Sequence, residues 1–201
     1  MSHSAHPKKL DGSRPVVCLG DSLTTGLTDA EAYPKYLAEM LSSPVINLGR
    51  AGITARDALK QLPAVLEANP QVVIIELGGH DFLRDYGRAS TRESLRQIID
   101  ACRNAGADVV LCEIPRGFIH DPFRGIEREL AHKFDLQLIP DTAIRQLVLR
   151  SPTFPLSQAL GLENLSNDGL HPNEAGARYF AQQLRDTLER MYGSGIVRPE
   201  L

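Results

Sequence analysis

Short apolar runs alternate along this chain with stretches in which an apolar residue recurs every third or fourth position. The runs cover residues 15–19, 45–48, 72–77, 109–114 and 136–139 and are made largely of Val, Ile and Leu. Continuous runs of this kind mark strands buried on both faces of a parallel sheet, since a strand with one wet face would alternate. Between them lie helical patterns with recognisable starts. Thr54 and Asp57, and again Ser90 and Glu93, place a hydroxyl residue three positions before a carboxylate, the spacing that caps a first helical turn. The second leads into Leu95, Ile98, Ile99 and Cys102 on one face and stops at the Asn and Gly of residues 104–106. A last helix opens at Pro172 and carries Ala177, Phe180, Leu184, Leu188 and Met191 at helical spacing. Strand and helix in alternation predict a three-layer α/β fold with a five-stranded parallel sheet and right-handed crossovers. Residues 151–167 break the rhythm with two prolines and with Phe154, Leu156, Leu160, Leu162 and Leu165, an apolar loop that either packs on the body or lines a substrate pocket.

Composition narrows the class of partner. The 201 residues suit one domain, expected over 15–192 with flexible termini at 1–14 and 193–201. A net charge of -3 without a one-sign run, and no Trp among few aromatics, exclude a nucleic acid or an anionic membrane held by a basic surface. No run approaches the roughly 18 apolar residues of a spanning helix, so integral membrane association is not expected. The polar N-terminus has no signal-peptide core, which makes a cytoplasmic location the expectation. Cys18, Cys102 and Cys112 sit in apolar or helical surroundings without zinc-site spacing and read as buried reduced thiols.

Chemistry in an open parallel sheet gathers beyond the carboxyl ends of the strands. The first strand runs into Gly20-Asp21-Ser22-Leu23, the second into Gly49-Arg50-Ala51-Gly52 and the third into Gly78-Gly79-His80-Asp81; Asp168-Gly169-Leu170-His171-Pro172 stands at the mouth of the last helix. A serine hydroxyl attacks only when a neutral imidazole takes its proton, and that imidazole needs a partner to fix its tautomer. Ser22, His171 and Asp168 can fill those roles, the last two from within one turn. A tetrahedral intermediate also needs donors for its oxyanion, each worth on the order of 3 kcal/mol. The N–H groups of Ser22 and Gly52 and the ring of His80 are candidates. A different reading takes Asp21, His80, Asp81 and His171 as ligands of a hydrolytic metal. Each block by itself also suits a turn or a helix cap.

Taken in order, the four blocks resemble the signature blocks of the SGNH (GDSL) hydrolases, and residues 31–34 and 81–84 are similar to the thioesterase I and lysophospholipase-like arylesterase branch. The likeness spans residues 15–191. It implies a flavodoxin-like sheet and a serine esterase, free of metal and cofactor, in which Ser22, Asp168 and His171 form the triad. One position departs from the pattern: the third block normally reads Gly-x-Asn-Asp, and His80 stands where the asparagine amide donates to the oxyanion. An imidazole N–H is expected to replace that amide, with Asp81 bracing the loop. The activity expected is hydrolysis of a small or medium-chain carboxylic ester or thioester through an acyl-Ser22 intermediate. Phe82, Leu83 and Arg84, with residues 115–123 and 151–167, are expected to shape the pocket. The alternative is a catalytically weakened protein of this fold that binds an acyl or acetylated ligand.

Overall fold

The computed structural model describes residues 8–117 and 120–199. In chain order the strands and α-helices are β1 (Val16–Gly20), α1 (Ser22–Thr25), α2 (Tyr33–Met40), β2 (Val45–Asn47), α3 (Ala55–Ala58), α4 (Leu62–Glu67), β3 (Val72–Glu76), α5 (Gly79–Leu83), α6 (Arg88–Asn104), β4 (Asp108–Cys112), α7 (Ile126–Phe134), β5 (Gln137–Ile139), α8 (Asp141–Leu149), α9 (Pro155–Ala159) and α10 (Glu174–Tyr192). The strands pair in parallel in the order β2-β1-β3-β4-β5, the flavodoxin-like arrangement. Register is set by hydrophobic residues at the strand starts, with Val16 opposite both Val45 and Val72, and Val73 opposite Val109. Every strand expected from the apolar runs is present, each within one or two residues of its expected ends.

Each strand contributes to two cores because successive side chains point to opposite faces. Val16, Cys18, Val72, Ile74, Val110 and Cys112 pack beneath α2, α8 and α10, where Tyr33, Leu37, Leu184 and Leu188 are buried. Val17, Leu19, Val73, Ile75, Val109 and Leu111 pack on the opposite side against Ala55, Val65, Leu95, Ile98 and Leu130. Burying each large aliphatic side chain contributes roughly 1.5–3 kcal/mol, so a β3 covered on both faces anchors both layers. Cys18, Cys102 and Cys112 lie in these cores as free thiols. Burial pushes Cys18 up to about 12 and Cys102 up to about 11, which keeps both protonated and poor as nucleophiles.

Several local expectations differ from what the backbone does. Helix α6 begins at Arg88 after Gly87, so Ser90 and Glu93 lie inside it, and the Glu93 carboxylate engages Arg96 and Gln97 on the following turn. Pro172 stands outside α10; Asn173 is the cap, accepting the Gly176 N–H at 3.0 Å. Thr54 does cap α3, accepting the Asp57 N–H at 3.1 Å. The ends are tied down where they are described. Lys8 N–H donates to Met191 O at 2.8 Å, Arg14 reaches Pro70 O at 2.6 Å, Ile196 is fully buried, and Val197 forms an antiparallel bridge with Leu41. Of the expected flexible termini, residues 1–7 and 200–201 fall outside the described residues, as do Phe118 and Ile119 of the 115–123 segment. No helix among the described residues is long and apolar enough to cross a membrane.

Candidate active site

Strand β1 ends at Gly20 because nothing larger fits. A Cβ there would lie 2.0 Å from Thr24 Oγ1 and 2.7 Å from Glu76 O. That close approach lets Asp21 cap the short α1, its carboxylate accepting the Leu23 N–H at 3.0 Å. Ser22 is therefore the first residue of a helix, with its side chain at the carboxyl edge of the sheet and only 8% of its surface exposed.

The loop before α10 brings the other two residues to it. Leu165 is fully buried, and its carbonyl accepts the Asn173 N–H at 3.0 Å, which draws residues 165–173 into a tight arch. At the crown, Asp168 Oδ1 accepts N–H groups from Leu170 at 2.8 Å and His171 at 2.7 Å, and the Ser166 hydroxyl at 3.1 Å. Asp168 Oδ2 lies 2.8 Å from His171 Nδ1, and His171 Nε2 lies 3.1 Å from Ser22 Oγ. With Nδ1–H donated to the carboxylate, Nε2 is left as the acceptor for the serine proton. Burial works to raise Asp168, but hydrogen bonds from the His171 ring and from two backbone N–H groups outweigh it and hold the carboxyl down to about 2.

The third block turns at Gly78, whose φ of 113° puts it in the left-handed region, and a Cβ there would meet Arg116 Nη2 at 2.5 Å. Arg116 secures this turn: Nε donates to Gly78 O at 3.0 Å while the guanidinium forms an ion pair with Glu127, both side chains being fully buried. His80 follows on α5 and faces the same cavity as Ser22 and His171. Asp81 turns away from them, accepting the Ala55 N–H at 2.8 Å and the Thr91 hydroxyl at 3.2 Å, so it braces the neighbouring loop. No group of three or more His, Cys, Asp or Glu among the described residues is placed to hold a metal ion. The N–H groups of Ser22 and Gly52 and the ring of His80 have no hydrogen-bond acceptor among the described residues and are available as donors.

The cavity beside Ser22 holds about 230 Å³ and is walled by Leu23, Phe82, Ile114, Ile144, Val148 and Leu170. Phe82 and Leu83 belong to this lining. Arg84 does not. Its long side chain swings back to donate to Gly52 O at 2.9 Å and stands 3.8 Å from Asp57, in an adjoining recess that Gly52 also lines. The 151–167 segment likewise does not line the cavity: Leu165 packs into the core, while Leu156, Leu160 and Leu162 are 57%, 62% and 45% exposed. Ile144 and Val148, one turn apart on α8, were not expected at the site. Their amphipathic spacing reads the same for a core helix as for a cavity wall. Leu170 carried a usable signal, because a leucine between Asp168 and His171 must sit at the mouth of any site those residues form.

Comparison with known proteins places this geometry in context. Residues 18–179 match the GDSL-like Lipase/Acylhydrolase family. The chain is 30% identical over 184 residues to thioesterase 1/protease 1/lysophospholipase L1 of Escherichia coli K12, covering 87% of this chain and 83% of that protein. It is also 30% identical to an arylesterase of Vibrio mimicus, covering 86% of this chain and 88% of that one. Among solved structures, a psychrotrophic esterase, EstA, from Pseudoalteromonas sp., inhibited by monoethylphosphonate, superposes with a TM-score of 0.71 at 25% identity, covering 89% of this chain and 98% of the other.

Proposed function

The chain belongs to the GDSL-like lipase/acylhydrolase family of carboxylic ester hydrolases, and on that footing we propose that it hydrolyses a small or medium-chain ester or thioester through an acyl-Ser22 intermediate. The observation that carries this reading is the continuous relay from Asp168 Oδ2 through His171 to Ser22 Oγ, at 2.8 Å and 3.1 Å. Ser22 Oγ attacks the carbonyl carbon as its proton passes to His171 Nε2. Charge that develops on the carbonyl oxygen is met by the N–H groups of Ser22 and Gly52 and by a ring N–H of His80. The C–O or C–S bond then breaks, and His171 gives its proton to the departing alkoxide or thiolate. Water next yields a proton to His171 and attacks the acyl carbon; the bond from that carbon to Ser22 Oγ then breaks, His171 returns the proton to Oγ, and the carboxylic acid leaves. Asp168 stays ionised throughout and stabilises the imidazolium of both steps. An aliphatic cavity of about 230 Å³ fits a short or medium acyl chain in preference to a long one.

A fluorophosphonate tests the nucleophile directly, and it is apt because a phosphonate inhibits the psychrotrophic esterase to which this chain is similar. Mass spectrometry is expected to find one phosphonyl adduct, on Ser22. Hydrolysis of p-nitrophenyl acetate and butyrate is expected to fall on the order of 10⁴-fold in Ser22→Ala. Equal rates for the wild type and this variant would reject catalysis and favour a protein that only binds an acyl ligand.

A further inference from the structure

Glu76, the last residue of β3, ends in a fully buried carboxyl group that none of these steps uses. Its Oε2 accepts the backbone N–H of Asp21 at 3.2 Å and the hydroxyl of Thr24 at 3.0 Å, two donors that lie on either side of Ser22 in sequence. Its Oε1 is buried as well, and no donor reaches it. The Asp21 carboxyl contacts the Glu76 carboxyl and, through Oδ2, comes within 3.2 Å of the position that a Cβ of Gly79 would occupy, hard against the turn carrying His80. Facing the pair are Thr24 and Tyr33 from α1 and α2, Cys18 and Cys112 from the flanking strands, and His80 and His171 from the cavity. Two adjoining buried carboxyls cannot both ionise cheaply, and a carboxyl oxygen without a donor is what remains when that group is itself the donor.

We propose that Glu76 is a positioning residue for Ser22: as the neutral acid it donates to the Asp21 carboxylate while Oε2 accepts from Asp21 N and Thr24 Oγ1. One side chain on β3 thereby fastens both ends of the turn that presents Ser22, and ties it to the strand that leads into His80. The assignment rests on Ser22 being the nucleophile. Burial first, and the neighbouring Asp21 charge next, push the Glu76 carboxyl well above the ordinary carboxylate range. A carboxyl raised on folding favours the folded state least at high pH, so this contribution to stability is lost as pH climbs from the ordinary carboxylate range towards the raised value.

Glu76→Gln and Glu76→Ala test this with p-nitrophenyl acetate kinetics and thermal melting. Glutamine offers an N–H to Asp21 and a carbonyl to the two donors, so kcat is expected to stay within about threefold of wild type; alanine is expected to lower kcat by about 10- to 100-fold with little change in KM. As pH climbs above the ordinary carboxylate range, the wild-type Tm is expected to fall relative to that of Glu76→Gln, whose side chain does not titrate. A glutamine variant as impaired as the alanine one at every pH, or Tm profiles that run parallel, would overturn the proposal. Infrared spectra of wild-type protein with ¹³C-labelled glutamate need no variant to fold: a protonated-carboxyl stretch at neutral pH is expected, and its absence would overturn the proposal too. Neither melting nor infrared reads catalysis, so a protein inactive on every ester would reject the acyl-Ser22 reading while leaving the Glu76 proton separately decided.

Discussion

Asp168 accepts three N–H or O–H groups besides the His171 ring, and the carboxyl so held at about 2 remains ionised through the range in which an imidazole titrates. Esterase activity is therefore expected to show no acid limb at the ordinary carboxylate value, because Asp168 is still charged there. A kcat profile against pH checks this, and an acid limb near that value would contradict it. For His80, replacement by Asn supplies an amide donor, so His80→Asn is expected to keep or raise kcat; a loss of about 100-fold or more, on the scale of a deleted donor, would show that the imidazole does something an amide cannot. Residues of this kind were legible in sequence because their chemistry is local. Glycines permit the turns, and Ser22, Asp168 and His171 are residue types that acyl transfer requires. The cavity wall was not legible, since Ile144 and Val148 are apolar in either role. Arg84 was misread for another reason: sequence places its Cα beside Phe82 but says nothing of where a guanidinium on a long stem will find its acceptor, here the Gly52 carbonyl.

Strands and helix ends differ in how far the chain betrays them. A run such as 72–75 is apolar because both faces of its strand are covered. Helix starts depend on which of several adjacent residues adopts the extended conformation, a choice made by contacts far away in sequence. At α10 the choice falls on Asn173, whose side chain caps Gly176 N–H and also reaches Asn164 O at 3.0 Å, joining the helix to the arch that holds Asp168 and His171. Asn173→Ala is expected to cost about 1 kcal/mol, seen as a fall in Tm of about 2–4 °C. Because the arch loosens with the cap, kcat is expected to fall in the same variant, whereas a loss of stability with unchanged kcat would mean that the arch is held by the Leu165 carbonyl contact alone.

Across the whole molecule, strand order reverses direction between β1 and β3, and Ser22 and His80 come from the ends of those two strands. The crevice opened by that reversal is where ligands bind in such sheets; the apolar runs and the glycine turns after them foresaw a site at the carboxyl ends of the strands, while the order of those strands was not legible in them. What the runs could not convey is that both layers of helices rely on one central strand. Ile74 and Ile75 are both fully buried on opposite faces of β3. Ile74→Ala is expected to cost about 2–5 kcal/mol in urea unfolding, with the kcat of the folded fraction little altered, because Ile74 lies beneath the helices and not at the strand end. The distance along the chain between Ser22 and His171, 149 residues, also sets an order of events in time. A ribosome adding about 5–20 residues per second delivers the imidazole roughly 7–30 s after the serine. Under the proposed acyl-Ser22 mechanism, the nascent chain carries Ser22 through that interval without the His171 base, and each molecule stays chemically silent until its last helix docks.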